Sequence, residues 1–293
     1  MSNNMLYQLA QHFNVLRLRF TLQLKSNWQL PAFKGSLFHG WLGQAAKQYD
    51  EQLFHVLFAE HSSGQPKPYA LKLSDDHKTD WQQGELISFD VMLFGEAVSL
   101  ADKLVSAIAT TNLGIGEHTK GKRCHVELVS AASVVPGRTL PGIVPTKLID
   151  WFDTMAHTSH CELALQLKSP LRLKSGGKVT DTFIPDLYCL NTQACRRLTL
   201  LSQYWVTDDA NLLGGLRQQL PRLGQHEVNH HTYFENWQRF SLNMKKYISF
   251  GGLKGQLSFY GDIAPGKHWL QTAQVLGLGG KTTFGLGHFE LIG

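Results

Sequence analysis

The chain has 293 residues, of which 43% are hydrophobic, and it carries a formal net charge of +5 with a pI near 9.0. This length and apolar content predict a folded protein of two ordinary domains or one large domain, and they exclude a disordered chain. The excess of lysine and arginine fits a polyanionic partner.

The four cysteines are spread along the chain without a C-x-x-C pair, and no pair has zinc spacing. The sequence contains neither a signal peptide nor an apolar run of about eighteen residues. We therefore expect a cytoplasmic protein with reduced thiols, no membrane partner and no cofactor.

The first half of the chain predicts alternating strands and helices. Residues 15–24 alternate apolar and polar side chains, which indicates a half-buried strand. After Pro31, Ser36 is a candidate helix cap, and apolar residues spaced by three and four predict a helix that ends near Asp50. The next predicted elements are a strand at 86–94, a helix at 100–110 and a strand at 124–131. The β-α-β-α-β order is typical of a ferredoxin-like fold.

Prolines and glycines between residues 134 and 158 predict a domain boundary. The second half then repeats the pattern, and its predicted elements are a strand at 161–167, helices around 192–205 and 234–245, a strand at 253–260, a helix around 266–274 and a strand at 288–292. We therefore predict an α+β protein of two tandem ferredoxin-like, RRM-related domains, at residues 1–145 and 158–293.

The last seventeen residues form a glycine-rich loop and a final strand. Because glycine lacks a Cβ, such a loop can bring backbone N–H groups close to phosphate oxygens, while Lys281 supplies charge and Thr282 and Thr283 supply hydroxyls. A mononucleotide P-loop is excluded, since Val275 stands where that motif requires glycine and no helix follows. The loop glycines are Gly277, Gly279, Gly280, Gly285 and Gly287.

Basic residues are concentrated in the C-terminal fifth of the chain. From residue 239 onward, only Asp262 and Glu290 are acidic, and the basic residues are Arg239, Lys245, Lys246, Lys254, Lys267 and Lys281. This charge and the glycine-rich loop together predict one surface for a nucleic-acid backbone. An ordinary solvated basic face is the alternative interpretation.

Residues 226–230, His-Glu-Val-Asn-His, match the H-E-x-x-H motif of zinc proteases. That mechanism needs both histidines on one face of a helix and a third ligand further along the chain. Pro221 and Gly224 stand just upstream, and Asn236 occupies the position six residues after His230. We therefore expect a polar loop or a helix entry at 224–232 rather than a metalloprotease site.

Six segments spread over nearly the whole chain are similar to segments of a known family and occur in the same order as they do there. The chain resembles the CRISPR-associated endoribonucleases that cut precursor repeat RNA, members of the repeat-associated mysterious protein superfamily. The glycine-rich motif is the most specific of the matching segments. These segments are residues 30–43, 89–95, 169–172, 196–201, 251–255 and 275–289.

The resemblance implies a metal-independent cut in which a 2′-hydroxyl attacks the adjacent phosphate and leaves a 2′,3′-cyclic phosphate and a 5′-hydroxyl. Such a reaction needs a base, a cation for the charged transition state and an acid for the leaving oxygen. His39 lies on the first predicted helix, where many relatives carry a catalytic histidine, and Lys47 lies two turns further along. His55 is the second candidate, although its apolar flanks predict partial burial.

The resemblance also implies that the glycine-rich loop holds repeat RNA. Arg196 and Arg197 point about 100° apart on a helix, so at most one of them faces RNA squarely, and either could pair with an acidic group instead. We expect repeat RNA as the partner, together with other subunits of a CRISPR effector complex, and no direct DNA partner. The predicted RNA-binding residues are Lys34, Arg196, Arg197, Arg239, Lys245, Lys246, Lys254, Gly279, Gly280, Lys281, Thr282, Thr283, Gly285 and Gly287.

Two functions therefore stay open at the level of the sequence. One is a repeat-RNA endoribonuclease with His39 as general base or acid. The other is a non-cleaving RNA-binding subunit of a CRISPR effector complex, because sister proteins in the superfamily share the fold and the glycine-rich loop. Both bind RNA, and only a working base distinguishes them.

Overall fold

The computed structural model describes residues 4–59, 64–73, 77–116, 123–153, 161–241 and 246–292. The chain divides into two compact units. The N-terminal unit comprises residues 14–146 with residues 204–206. The C-terminal unit comprises residues 1–13, 147–203 and 207–293. Helix α1 (Met5–His12) therefore belongs to the C-terminal unit, whereas the predicted boundaries placed it in the N-terminal domain.

The N-terminal unit is a β-α-β-β-α-β ferredoxin-like fold with additional short strands. Its main sheet has the order β3-β5-β1-β6-β7, and β8 also pairs with β1. The elements are β1 (Asn14–Leu24), β2 (Trp28–Gln29), α2 (Gly35–Tyr49), α3 (Glu51–Leu57), β3 (Tyr69–Leu73), β4 (Asp80–Trp81), β5 (Leu86–Phe94), α4 (Ala101–Thr110), β6 (Val126–Val135), β7 (Arg138–Pro141) and β8 (Thr146–Lys147).

One face of this sheet builds the core of the N-terminal unit. Along β1, Leu16, Leu18 and Phe20 are completely buried and pack with apolar residues of β5, α2, α3 and α4. The residues between them, Arg17 and Arg19 among others, lie on the opposite face because side chains alternate along a strand. The period-2 pattern therefore predicted both the strand and the direction of its side chains.

The C-terminal unit repeats the ferredoxin-like arrangement. Its four-stranded antiparallel sheet has the order β10-β13-β9-β14. Helices α5 and α6 follow β9 in the chain, and α7 follows β13, as in a ferredoxin-like fold. The elements are β9 (Cys161–Leu171), α5 (Leu187–Trp205), α6 (Ala210–Gln218), β10 (His226–Glu235), β11 (Gln238–Ser241), β12 (Lys246–Ser249), β13 (Gly252–Gly261), α7 (Lys267–Leu276) and β14 (Phe289–Ile292).

The helix predicted around residues 234–245 is wrong. Strand β10 runs to Glu235, and β11 pairs antiparallel with β12 in a two-stranded ribbon. The aromatic residues that suggested a helix stripe lie at the end of β10, in its connection and on β11. The predicted α+β class with two tandem ferredoxin-like domains is confirmed. Within the described residues, no helix is long and apolar enough to cross a membrane.

Candidate RNA-processing site

His39 lies in the second turn of α2, where it is partly exposed and in contact with two aromatic side chains. Its Nδ1 atom is 2.7 Å from the hydroxyl oxygen of Tyr69, and the two rings are nearly parallel, with 12° between their planes. The ring of Phe58 meets the imidazole edge-on at a centroid distance of 5.8 Å. The predicted catalytic histidine is therefore held in one orientation while part of it faces solvent.

Tyr69 begins β3 and is completely buried. Burial raises the pKa of Tyr69 well above its ordinary value, so the phenol stays protonated and can exchange a hydrogen bond with His39 across the physiological range. No motif in the sequence marks Tyr69. The available signal was the short, mostly apolar run at residues 69–73 after Pro66 and Pro68, which is compatible with a short strand.

Lys67 places a cation beside the same aromatic cluster. Its Nζ atom donates to the carbonyl oxygen of Phe58 and, at 3.2 Å, to that of Ala59, which follow the last turn of α3. The last turn of a helix carries partial negative charge on its carbonyl groups, which attracts such a cation. Lys67 was not among the predicted residues, because a lysine between two prolines belongs to no known motif.

The other two predicted catalytic residues lie on the exposed faces of their helices. Lys47 is exposed near the end of α2, with its Nζ atom 5.4 Å from the ring centroid of Phe54. His55 lies in the last turn of α3 and is exposed, so the partial burial predicted from its flanks is wrong. Both remain predictions as catalytic groups.

Lys34 is not placed to contact RNA as predicted. The residue is only 1% exposed, and its Nζ atom is 3.4 Å from the carbonyl oxygen of Ala32 and 6.0 Å from the ring centroid of Trp81. The N-cap of α2 is Lys34, and this cap has no side-chain hydrogen bond. The prediction that Ser36 caps the helix is therefore wrong. Lys34 thus lies buried at the start of the helix that carries His39.

The glycine-rich loop connects α7 to β14 and turns sharply at four glycines. Gly277, Gly279, Gly285 and Gly287 have φ between 72° and 84°, a region that suits glycine. A Cβ on Gly287 would lie 1.8 Å from the carbonyl oxygen of Leu278, and a Cβ on Gly279 would lie 2.5 Å from that of Arg172. These glycines therefore allow the loop to fold tightly onto itself and onto the end of β9.

Several loop N–H groups are used within the protein rather than directed at a phosphate. Gly280 N donates to Arg172 O, Gly287 N to Pro170 O and Gly285 N to Thr282 O, each at 3.0 Å. The expectation that these three backbone groups face RNA is therefore wrong. Gly279 pairs with Arg172 in a β-bridge, which joins the loop to the end of β9.

Lys281 is the exposed cation of this loop. It adopts the left-handed conformation, with φ 68°, and its Nζ atom lies 5.8 Å from the ring centroid of Phe250 and 5.9 Å from that of Phe284. Thr282 is buried and Thr283 is partly exposed. The fold therefore presents Lys281 and Thr283 at the surface and turns Thr282 inward.

Arg196 and Arg197 have different environments. Arg196 is exposed on α5. Arg197 Nε donates to Leu276 O at 2.7 Å, and burial lowers the pKa of Arg197 to about 10. Arg197 therefore holds the last carbonyl of α7, immediately before the loop. Its predicted contact with RNA stays a prediction.

The remaining predicted RNA-binding residues lie around β11, β12 and β13. Lys254 forms an ion pair with Glu235 at 3.3 Å, and its Nζ atom lies 5.5 Å from the ring centroid of Trp237. Arg239 lies on β11 and Lys246 on β12. Lys245 lies outside the described residues.

The H-E-x-x-H segment lies on β10, an edge strand. Residues four apart on a strand are about 13 Å apart along the chain, too far to share one metal ion. In the part of the chain that the structure describes, no group of three His, Cys, Asp or Glu side chains could hold a metal ion. The predicted loop or helix entry at 224–232 is thus a strand from residue 226, and a zincin helix is excluded.

Two family models match the chain, one in each half. Residues 165–289 match the model of the CRISPR-associated endoribonuclease Cas6, and residues 13–145 match a model described as an N-terminal domain. No curated protein sequence matches the chain.

Several solved structures share the fold of the chain over nearly its whole length. A Thermus thermophilus Cas6 is 13% identical with a TM-score of 0.56, over 96% of this chain and 99% of that one. A product complex of the same Cas6 is 14% identical with a TM-score of 0.58, over 95% and 99%. A partial complex named Cas6-RT-Cas1 with Cas2 is 12% identical with a TM-score of 0.62, over 96% of this chain and 46% of that one.

Proposed function

We propose that the chain is a Cas6-type protein that cleaves precursor CRISPR RNA within the repeat, because residues 165–289 match the Cas6 model and the whole chain shares the fold of solved Cas6 structures. The cleavage needs no metal ion. The 2′-oxygen attacks the adjacent phosphorus, the bond from phosphorus to the 5′-oxygen breaks, and the products carry a 2′,3′-cyclic phosphate and a 5′-hydroxyl.

The pair of His39 and Tyr69 is the observation that carries this proposal. A general base or acid must present its imidazole in a fixed direction, and the 2.7 Å contact between Nδ1 and the Tyr69 hydroxyl fixes the orientation of the His39 ring. His39 accepts the proton of the 2′-hydroxyl or donates one to the leaving 5′-oxygen. Lys67 and Lys47 are the lysines of the N-terminal unit that we assign to the charged transition state.

The glycine-rich loop binds the RNA backbone in this proposal. Lys281 supplies an exposed ammonium, and Thr283 supplies a hydroxyl next to it. The tight backbone of the loop holds both side chains in place, which lowers the entropy lost on binding. Arg196 adds a second exposed cation on α5.

The structures that resemble the chain suggest its partners. Two solved likenesses are named as Cas6 product complexes, and a third is named as a complex with Cas1 and Cas2. We propose that this chain likewise binds CRISPR repeat RNA and acts together with other CRISPR proteins.

Analysis of the product ends tests the proposed chemistry. Wild-type protein is incubated with end-labelled repeat RNA, and the 5′ fragment is treated with acid and then with phosphatase. A fragment that loses its terminal phosphate only after the cyclic ester has been opened supports the proposal. A fragment that ends in a 3′-hydroxyl contradicts it, because hydrolysis by an external water would then be the reaction. RNA that is bound but never cut identifies the non-cleaving RNA-binding subunit instead.

Tyr69→Phe is expected to slow cleavage by about tenfold at saturating RNA and to leave RNA affinity unchanged. The variant keeps the buried ring and removes only the hydroxyl that orients the His39 imidazole. Single-turnover rates and filter binding separate the two effects. Nitrogen NMR of the His39 ring gives a second readout, since its tautomer should change in the variant. An unchanged rate together with an unchanged spectrum would contradict the positioning role.

Lys281→Ala is expected to weaken RNA binding and to reduce its salt dependence by about one counterion. Lys281→Arg is the matched control, because it keeps the charge at the same loop position and should keep the salt slope. Binding is measured over a series of salt concentrations. An alanine variant with the wild-type slope would show that Lys281 does not contact a phosphate.

A further inference from the structure

We propose that Arg172, Lys174 and Lys178 bind phosphates of the RNA backbone and so extend the site of the glycine-rich loop along the chain that follows β9. All three residues lie in the C-terminal unit, as does the loop. None of them was among the RNA-binding residues predicted from the sequence. The inference rests on the proposed function, because its ligand is the backbone of the same RNA.

Arg172 lies directly beside the glycine-rich loop. Its carbonyl oxygen accepts a hydrogen bond from Gly280 N at 3.0 Å, and its backbone pairs with Gly279 in a β-bridge. A Cβ on Gly280 would lie 3.9 Å from Cδ of Arg172, so the arginine side chain runs past the open side of this glycine. The next residue of the loop is Lys281. Two cations of the same surface are therefore joined through one glycine.

A neutral acceptor fixes the guanidinium group of Arg172. Nη1 donates to the carbonyl oxygen of Gly251 at 2.7 Å. Gly251 lies in the closely packed connection between β12 and β13, where an added Cβ would be 2.6 Å from the ring of Phe234. Among the described residues, no carboxylate pairs with Arg172. The group is therefore held in one direction and keeps its full positive charge.

The side of this guanidinium group that suits a phosphate is unoccupied. In Arg19, Nε and Nη2 bind the two oxygens of the Asp90 carboxylate at 2.8 and 3.1 Å, which shows how such a fork holds an oxyanion. Within the described part of the chain, Nε and Nη2 of Arg172 have no hydrogen-bond partner, and neither is shut off from solvent. They are therefore available to the two free oxygens of a phosphodiester.

Partial burial makes this anion favourable. Burial lowers the pKa of Arg172, which means that its charge has lost part of its hydration. A bound phosphate replaces that hydration with charge-assisted hydrogen bonds. Because the fork is already oriented by Gly251 O, little side-chain freedom is lost on binding.

Lys174 continues the same surface. Leu171 and Leu173 are buried, whereas Arg172 is partly exposed and Lys174 is exposed, so burial alternates as in an extended strand. Arg172 and Lys174 therefore point to the same side of the chain. Side chains two residues apart on an extended chain are about 7 Å apart, so one RNA strand can contact both.

A tight turn places Lys178 next to this segment. Ser175 and Lys178 exchange two backbone hydrogen bonds of 2.8 and 3.1 Å, and the glycines between them have φ 56° and 82°. Residues 163–180 contain no acidic side chain. Lys174 and Lys178 are exposed, and neither forms an ion pair within the residues that the structure describes. The turn thus carries two uncompensated charges at fixed positions.

The first test compares Arg172→Gln with Arg222→Gln in the binding of repeat RNA over a series of salt concentrations. Arg222 is an exposed arginine of the same unit, and the adjacent Leu223 lies beside Gly266 at the start of α7, whereas the glycine-rich loop follows the end of this helix. Arg172→Gln is expected to weaken affinity about tenfold at low salt and to reduce the salt slope by about one counterion. Arg222→Gln should leave both unchanged. An equal change in the two variants would reflect total charge alone and would overturn the inference.

A double variant of the turn tests the same surface without disturbing the brace between Arg172 and Gly251. Lys174→Gln/Lys178→Gln removes two side chains that have no described partner inside the protein. We expect the wild-type unfolding temperature and a salt slope reduced by about two counterions. A wild-type slope would show that RNA does not follow the chain beyond β9, and it would overturn the inference.

Repeat RNAs that each carry one 2′-deoxynucleotide methylphosphonate, which is neutral, locate the contact of Arg172. One position should weaken wild-type binding about tenfold and have little further effect on Arg172→Gln, because both changes remove the same contact. If Arg172→Gln only unfolds at a lower temperature and each methylphosphonate acts equally on both proteins, Arg172 is a structural brace and the inference is overturned. A wild type that binds in the expected way but never cuts contradicts the proposed cleavage alone, whereas a wild type without RNA affinity overturns both.

Discussion

His39→Ala should lower the cleavage rate by at least about a hundredfold and change RNA affinity by no more than about twofold. Loss of a general base or acid in proton transfer has an effect of this size. The side chain is partly exposed and makes its described contacts with Tyr69 and Phe58, so its removal should leave α2 folded. Single-turnover cleavage and equilibrium binding of the same repeat RNA measure the two quantities.

His55→Ala is the matched control for this result. It removes a second exposed histidine from the neighbouring helix α3 of the same unit. We expect the control to cut at the wild-type rate. The reverse pattern, with His55→Ala inactive and His39→Ala active, would move the catalytic role to His55. An equal loss of binding in both variants would show that these residues hold the RNA rather than transfer protons.

Gly287→Ala should destabilise the C-terminal unit by at least about 2 kcal/mol and abolish RNA binding through the loop. The position has φ 72°, and the added Cβ would lie 1.8 Å from the carbonyl oxygen of Leu278. That contact joins two backbone segments, so neither can move away without breaking the hydrogen bond from Leu278 N to Gly287 O. Strain of this kind costs about 1–3 kcal/mol even before the steric clash is added.

Gly280→Ala is the control within the same loop. Its φ lies outside the left-handed region, and the nearest atoms to an added Cβ are 3.8 and 3.9 Å away, which is ordinary contact. We expect a stability change of no more than about 0.5 kcal/mol and RNA affinity close to wild type. Thermal unfolding measures the stability of both variants, and titration with repeat RNA measures their affinity. Equal effects of the two substitutions would mean that the loop does not require its tight backbone.

The sequence predicted the fold well where periodicity was long and regular. Strand β5 was predicted at its observed bounds, and β1 was one residue longer than predicted. The two-residue strands and β3 were missed because so few residues carry little periodic signal. The helix predicted near residue 240 was wrong because aromatic residues at helical spacing also occur in a ribbon such as β11 and β12.

The candidate site was only partly accessible to the same reasoning. His39 was predicted from its helix, but its partner Tyr69 lies thirty residues further along and meets it only through the packing of β3 against α2. For the two adjacent arginines on α5, the sequence could not show which side chain is exposed. Only the fold reveals that Arg197 turns inward to Leu276 O while Arg196 stays exposed. Motif spacing cannot distinguish a residue that binds RNA from one that supports the loop.

The most direct test of the central claim is cleavage of repeat RNA by wild-type protein in EDTA, with a matched substrate that carries a single 2′-deoxy nucleotide at the cut. We expect one cut in the all-ribose RNA and none in the deoxy substrate, while both RNAs bind equally, because the attacking group is the 2′-oxygen of the substrate. Cleavage of the deoxy substrate, or loss of all cleavage in EDTA with recovery on adding a divalent metal, would contradict the account.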